Sequence, residues 1–143
     1  MPRLKIELPE TFPFSTEMQV PIGDINYGNH LGNDAILRYA QEARLRFLAP
    51  YGWSELNCAG CALIMASAEI VYKAQGYHGE TVRIEVAVTE LRRTGFDLAY
   101  RIHRPSDQTD IAHIRTGMAF FDYEAGRPCK TPPAFIQTFA SET

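Results

Sequence analysis

Residues Gly23–Arg44 read GDINYGNHLGNDAILRYAQEAR. The first eleven of them hold one Asp, three Asn, one His and three Gly. From there on the period is helical. Ile36, Ala40, Ala43 and Phe47 fall on one stripe, and Arg38, Glu42 and Arg46 point away from it. Asn33 suits an N-cap and Asp34 the positive end of the helix dipole, while Pro50 and Gly52 stop the run. The spacing therefore predicts a helix from about Asp34 to Ala49. Two alanines in mid-stripe let it approach a sheet closely. This helix decides the fold class, because almost everything after it reads as strand.

Ahead of the helix, residues 1–16 carry Pro2, Pro9 and Pro13 and read as an extended lead-in. Residues 17–22, EMQVPI, place Met18, Val20 and Ile22 on one face of a short strand, which Pro21 marks as an edge or an early end. Beyond the helix, CALIMASAEIVYK puts Ile64, Ala66, Ala68, Ile70 and Tyr72 on one face. TVRIEVAVTEL alternates Val82, Ile84, Val86 and Val88 with polar or small residues. GFDLAYRIHR aligns Phe96, Leu98, Tyr100 and Ile102; IAHIRTGMAFFDY aligns Ala112, Ile114, Met118 and Phe120. The links GYHGE, RRTG and PSDQTD carry turn chemistry. One strand, one helix and four consecutive strands imply an α+β layer, a curved antiparallel sheet of about five strands around a single helix. The bare sheet face and edges invite self-association.

The chain has 143 residues, which suggests one domain over 1–143, with no repeat and no linker. A net charge of −3 gives no electrostatic case for nucleic acid or an anionic membrane. No apolar run approaches the roughly 20 residues a membrane helix needs, and the start lacks a signal-peptide core, so a cytoplasmic location is expected. Cys58 and Cys61 form a CxxC, but three cysteines are an odd count and no His lies at finger-like spacing. The pair is read as small residues in a tight connection. His78, His103 and His113 have no metal-like spacing, so no metal and no cofactor is expected.

The polar loop has chemical potential. Asp24 and Asn26 share a face if the strand runs that far, and His30 sits where Gly28 and Gly32 let the chain fold sharply. The amides near Asn33 and Asp34 open the helix and could receive an oxyanion. Together they offer an acid/base group, a water-orienting amide and positive backbone dipole. A helix cap built from the same residue types is the plain alternative.

The stretch Asp24-Ile25-Asn26-Tyr27-Gly28-Asn29-His30-Leu31-Gly32-Asn33, followed by Tyr39 and Glu42-Ala43-Arg44, resembles the signature of the hotdog-fold acyl-CoA thioesterases of the 4-hydroxybenzoyl-CoA thioesterase type. The resemblance continues through SAEIVYKAQGYHGETVRIEVAVTELRRTGF and FFDYEAGRPCKTPPAF, and so covers about Glu17 to Phe135. It implies a helix wrapped by a curved antiparallel sheet, a homodimer or homotetramer that pairs edge strands, and acyl-CoA sites at the dimer interface. It also implies hydrolysis of an acyl-CoA or acyl-carrier-protein thioester. Asn26 stands where the family has its catalytic Asp, and an amide is neither a base nor a nucleophile. Asp24 and His30 are therefore the acid/base candidates, with Asn26 as a polar aligner and the amide of Asn33 for the oxyanion. Arg92 and Arg93 match a basic pair that lies toward the CoA nucleotide in the family, and arginine suits phosphate. Lys73 and Lys130 are lesser candidates; Glu69 reads as a cross-strand ion pair, and Glu42 lies on the polar side of the helix. Two alternatives use the same residues. GDIN…H is similar to the hydratase branch of the fold, but one residue too many precedes His30. A non-catalytic acyl-CoA-binding domain would explain Asn26.

Overall fold

The computed structural model describes residues 4–142. Strand β1 (Phe14–Gln19) leads through the polar loop into helix α1 (Asn33–Leu48). Strands β2 (Ala62–Tyr72), β3 (Thr81–Arg92), β4 (Gly95–Arg104), β5 (Thr109–Asp122) and β6 (Arg127–Pro128) follow, and helix α2 (Pro133–Phe139) comes near the end. The strand order is β1-β3-β4-β5-β2, antiparallel throughout, with β6 beside β5. A 3-10 turn at Ala49–Tyr51 prolongs α1. The helix lies in the concave side of the sheet, and the core forms between them.

The apolar periods explain the packing. Ile36, Ala40, Ala43 and Phe47 on α1 are buried against Val82, Ile84, Val86, Leu98, Tyr100, Ile102, Ile114 and Phe120. Burying such side chains stabilises the fold by about 1.5–3 kcal/mol each. The alanines allow the close approach expected of them. Phe135 and Phe139 of α2 close one end, stacking among Phe47, Trp53, Phe96 and Phe120.

Four boundaries differ from the sequence reading. The N-cap is Gly32, and Asn33 is already helical. Strand β1 starts earlier and ends earlier, so Ile22 is exposed and opens a 3-10 turn that ends at Asp24. In β2 a bulge at Ala66 advances the strand two residues against one on β5, between Met65↔Met118 and Ser67↔Gly117. The bulge reverses the phase: Leu63 and Met65 oppose core residues before it, Ala68 and Ile70 after it. Ile64 and Ala66 therefore do not join Ile70 on one face. The fourth concerns sulfur. Cys58 and Cys61 bridge backbone to backbone in a tight turn, but Cys61 is disulfide-bonded to Cys129. Strand β2 begins beside the end of β5, and Cys129 follows the hairpin that returns from there, so the two meet across 68 residues of chain. Cys58 stays free, and burial pushes its thiol up to about 12.

The convex face is ionic. Glu17–Arg83, Glu85–Arg101–Asp110–His113, Glu69–Arg115 and Arg92–Asp97 join neighbouring strands across it. Ala87 and Ala99 face each other on this side and yet are buried. Pro9–Pro13 lie beside Ala87, and Leu4 and Lys5 lie beside Ile70–Lys73, with Ile6 buried between. Inside the core, Arg44 donates to Glu55 and to the Tyr100 hydroxyl, which in turn bonds Thr116. That network satisfies a buried guanidinium and fixes the loop after α1 to the sheet.

Candidate active site

The polar loop is a closed structure. Ile25 and Leu31 form an antiparallel bridge, the Asn26 amide donates to the His30 carbonyl at 2.9 Å, and Asn29 takes a left-handed φ of 66°. The Asn26 side-chain oxygen accepts from the Gly28 amide at 2.9 Å and lies 3.4 Å from the His30 amide. This leaves the Asn26 NH2 group as an uncommitted donor among the described residues. A Cβ on Gly28 would stand 3.1 Å from His30 Nε2 and 3.3 Å from Asn26 Oδ1, so these two polar groups converge over a glycine. At Gly32 a Cβ would stand 2.5 Å from Asp34 Oδ1, and the Gly32 amide bonds the Asp24 carbonyl at 2.9 Å. These approaches are to the ends of side chains, and the left-handed residue of the loop is Asn29, so the turn does not use the left-handed torsions that Gly28 and Gly32 would permit.

Asp24 is anchored on both oxygens. Arg38 donates to Oδ1 and Tyr39 to Oδ2, each at 2.7 Å. Burial works against its ionisation, but those two bonds and the Arg38 charge outweigh burial and hold the carboxyl below the usual value. Burial first, and then the bond to Asp24, push the Tyr39 phenol far above its ordinary value, so it remains a donor.

His30 is partly buried, with Nδ1 3.4 Å from the Leu31 carbonyl. In the tautomer that donates there, Nε2 is an acceptor. His30 and Asn33 line a cleft of about 250 Å³ together with Tyr72, Lys73 and Gln75. Asp24 and Asn26 line an adjoining cleft of about 270 Å³ with Tyr27 and Asp34. The Tyr72 hydroxyl donates to the Asn33 carbonyl, and the Leu31 amide donates to the Gly76 carbonyl, which pins the helix start to the far end of β2. The loop thus sets His30 and Asn33 on one cleft and Asp24 and Asn26 on the next, with Asn26 Oδ1 and His30 Nε2 both beside Gly28. The arrangement offers a ring nitrogen, an amide donor and opening helix amides, suited to activating water and stabilising a developing oxyanion.

Arg92 and Arg93 stand elsewhere. They lie at the β3–β4 turn, paired in register with Gly95, at the end of the sheet where β2 begins. The helix start lies at the opposite end, roughly 30 Å away for a ten-residue strand at ~3.3 Å per residue. Arg92 is held by Asp97 through two bonds of 2.6 and 2.8 Å, and Arg93 is exposed. The sequence reading singled out neither the Tyr39 anchor nor the Tyr72 contact. Tyr39 lies fifteen residues beyond Asp24, and a periodic stripe gives no sign that its hydroxyl reaches back. Among the described residues no cluster of three His, Cys, Asp or Glu could hold a metal, and no helix is long and apolar enough to cross a membrane.

Solved structures share this architecture. The 1,4-dihydroxy-2-naphthoyl-CoA thioesterase from Synechocystis superposes with a TM-score of 0.80 at 19% identity, covering 89% of this chain and 95% of that one. A thioesterase-superfamily protein from Jannaschia gives 0.83 at 21%, covering 94% and 85%. A thioesterase from Thermus thermophilus, crystallised with coenzyme A and zinc, gives 0.76 at 19%, covering 89% and 97%. These likenesses establish the hotdog fold, a central helix in a curled antiparallel half-barrel. No curated protein matches the sequence. The family profile described as the thioesterase-like superfamily matches residues 20–139, from the end of β1 to the end of α2, and the chain belongs to that superfamily.

Proposed function

We propose that the protein hydrolyses the thioester of an acyl-CoA or acyl-carrier protein, at the loop that opens α1. The observation that carries this is the placement of His30 Nε2 and Asn26 Oδ1 at Gly28, with Asn33, the first residue of the helix, lining the cleft of His30. His30 takes a proton from water. The water oxygen attacks the thioester carbon, and the Asn26 NH2 group and the Asn33 amide receive the charge on the carbonyl oxygen. The tetrahedral intermediate then collapses, expelling the thiolate, which takes up a proton. Asp24, already bonded twice, holds the loop against the helix.

Arg92 and Arg93 enter this reading through a second copy. Strand β2 is a sheet edge, exposed from Met65 to Ala68. Pairing it antiparallel with its own copy turns that copy end for end, so the copy's β3–β4 turn comes to the side of the helix start. There Arg93 of the copy, without an ion pair among the described residues, suits the phosphates of CoA, while Arg92 orders the turn through Asp97.

The test is thiol release across short, long and aromatic acyl-CoA thioesters. Hydrolysis by the native chain, reduced about 10²–10⁴-fold in His30→Ala with the fold retained, is the expected result. An unchanged rate in His30→Ala removes it from the mechanism. No hydrolysis of any thioester favours a binding domain.

A further inference from the structure

Eight arginines are held in ion pairs with carboxylates: Arg38, Arg44, Arg46, Arg83, Arg92, Arg101, Arg104 and Arg115. In an acidic chain this is expected, since carboxylates outnumber the cations. Among the described residues, Lys5, Lys73, Arg93, Arg127 and Lys130 have no carboxylate partner, and of these Lys5 and Lys73 line one cleft. The lead-in that crosses the convex face places Leu4 and Lys5 against the end of β2, where the two lysines line a cleft of about 670 Å³ with Ile70, Val71 and Tyr72. Tyr72 and Lys73 also line the cleft of His30 and Asn33. Tyr72 and Lys73 are thus common to both clefts; Tyr72 is half-exposed, and its hydroxyl is fixed on the Asn33 carbonyl.

We infer that these two clefts together form a groove, the binding track for the phosphorylated carrier of the thioester, with Lys73 and Lys5 as its phosphate contacts within the same chain. The inference rests on the thioester reading and adds to it a binding site that does not involve the Arg92–Arg93 turn. The chemistry fits at each step. The reacting carbonyl sits at His30 and the helix start. An uncharged pantetheine arm passes the Tyr72 ring. The anionic end meets two ammonium groups that no carboxylate neutralises, and a phosphate bound there neutralises charge without breaking any ion pair. The lead-in then has a binding role, because it carries Lys5 across the sheet to Lys73.

The experiment compares the native chain with Lys73→Ala and with Lys5→Glu/Lys73→Glu, all exposed positions. On an acyl-CoA, KM is expected to rise about tenfold or more in the double variant, with kcat little changed. On the matching acyl-pantetheine thioester, which lacks the nucleotide, KM is expected to stay the same. Titration calorimetry with adenosine 3′,5′-bisphosphate is expected to show binding to the native chain and its loss in the double variant. This last measurement needs no turnover, so a chain that hydrolyses nothing but binds the bisphosphate through these lysines would sink the hydrolase reading and keep the groove. Equal rises in KM on both thioesters would move the anion to the acyl side and overturn the inference. So would unchanged KM on acyl-CoA, or a double variant that changes only the oligomeric mass.

Discussion

Tyr39, in the second turn of α1, donates a 2.7 Å hydrogen bond to Asp24, the carboxylate that precedes the loop. With Arg38 on the other oxygen, the helix holds the start of the loop from within its own first turns. The two residues are therefore expected to behave as one unit. Asp24→Asn and Tyr39→Phe should lower thioester hydrolysis by similar, modest factors. A general base would behave otherwise: Asp24→Asn would lose about 10²–10⁴-fold and Tyr39→Phe far less. Steady-state rates of the two variants decide the role.

The same pair makes a prediction about acid. The folded state depresses the Asp24 pKa, so its contribution is present above the unfolded value near 3.8 and lost as pH falls through the lower folded value. Asp24→Asn should melt earlier than the native chain at pH 7, by about 1.5–3 kcal/mol for bonds to a charged group. As pH falls through the folded value the gap should close, and below it the two melting curves should converge. A constant gap from pH 7 down to pH 2 would show that the carboxylate charge contributes nothing.

The glycine that starts the helix gives a prediction about the cap. A Cβ at Gly32 meets Asp34 Oδ1 at 2.5 Å and approaches the Asp24 carbonyl. The exposed Asp34 side chain can swing away and the Asp24 carbonyl is at ordinary contact distance, so Gly32→Ala should cost about 1 kcal/mol at most, the N-cap preference for Gly over Ala, and change activity little. Gly23→Ala, with open space around it, should be silent in both respects. Denaturant titration of the two variants separates them.

Much of this was legible in the sequence, for identifiable reasons. The period of α1 and the alternation of β3, β4 and β5 put the same residues in the core that the fold buries, because both patterns follow from which face meets the helix. The loop's polar residues were legible as a group, since Asp, Asn, His and Gly crowd the step before a helix, but the left-handed turn falls on Asn29 and not on either glycine. The phase of β2 was not, because a bulge adds one residue without a sequence mark, and Ala66 looks like any other small strand residue. Nor was the burial of Ala87 and Ala99. Alternation assigns them to solvent, and what lies beside Ala87, Pro9–Pro13 of the lead-in and Ser141, is distant in sequence. The separation of Arg92 and Arg93 from the loop follows from strand order, which no single segment encodes.

That separation makes oligomerisation a test of the site. At least a homodimer is expected at micromolar concentration, by light scattering. Ser67→Lys, at the middle of the exposed edge of β2, should favour monomers, since charge on an edge opposes strand pairing. If the second copy supplies phosphate contacts, that variant should also bind CoA more weakly. A native monomer would remove the second copy from the reading and leave the groove of Lys5 and Lys73 as the phosphate site.

The sharpest prediction is at Asn26. Its side-chain oxygen accepts from the Gly28 amide, and a carboxylate can keep that bond. Asn26→Asp should therefore preserve the loop and change only the other half of the side chain, from an NH2 donor to an anionic oxygen. Two roles then give opposite outcomes. If Asn26 donates to the thioester oxygen, the variant replaces a donor by a negative charge beside a developing oxyanion. The rate should fall by about 10²–10³-fold, as when an oxyanion donor is removed. If the position is where the superfamily's carboxylate acts on water, the rate should hold or rise. Asn26→Ala controls for the loop: it removes both the Gly28 bond and the donor, so its melting temperature should fall where that of Asn26→Asp does not. Retained folding with a lost rate in Asn26→Asp would assign the amide as an oxyanion donor and His30 as the group that moves the proton.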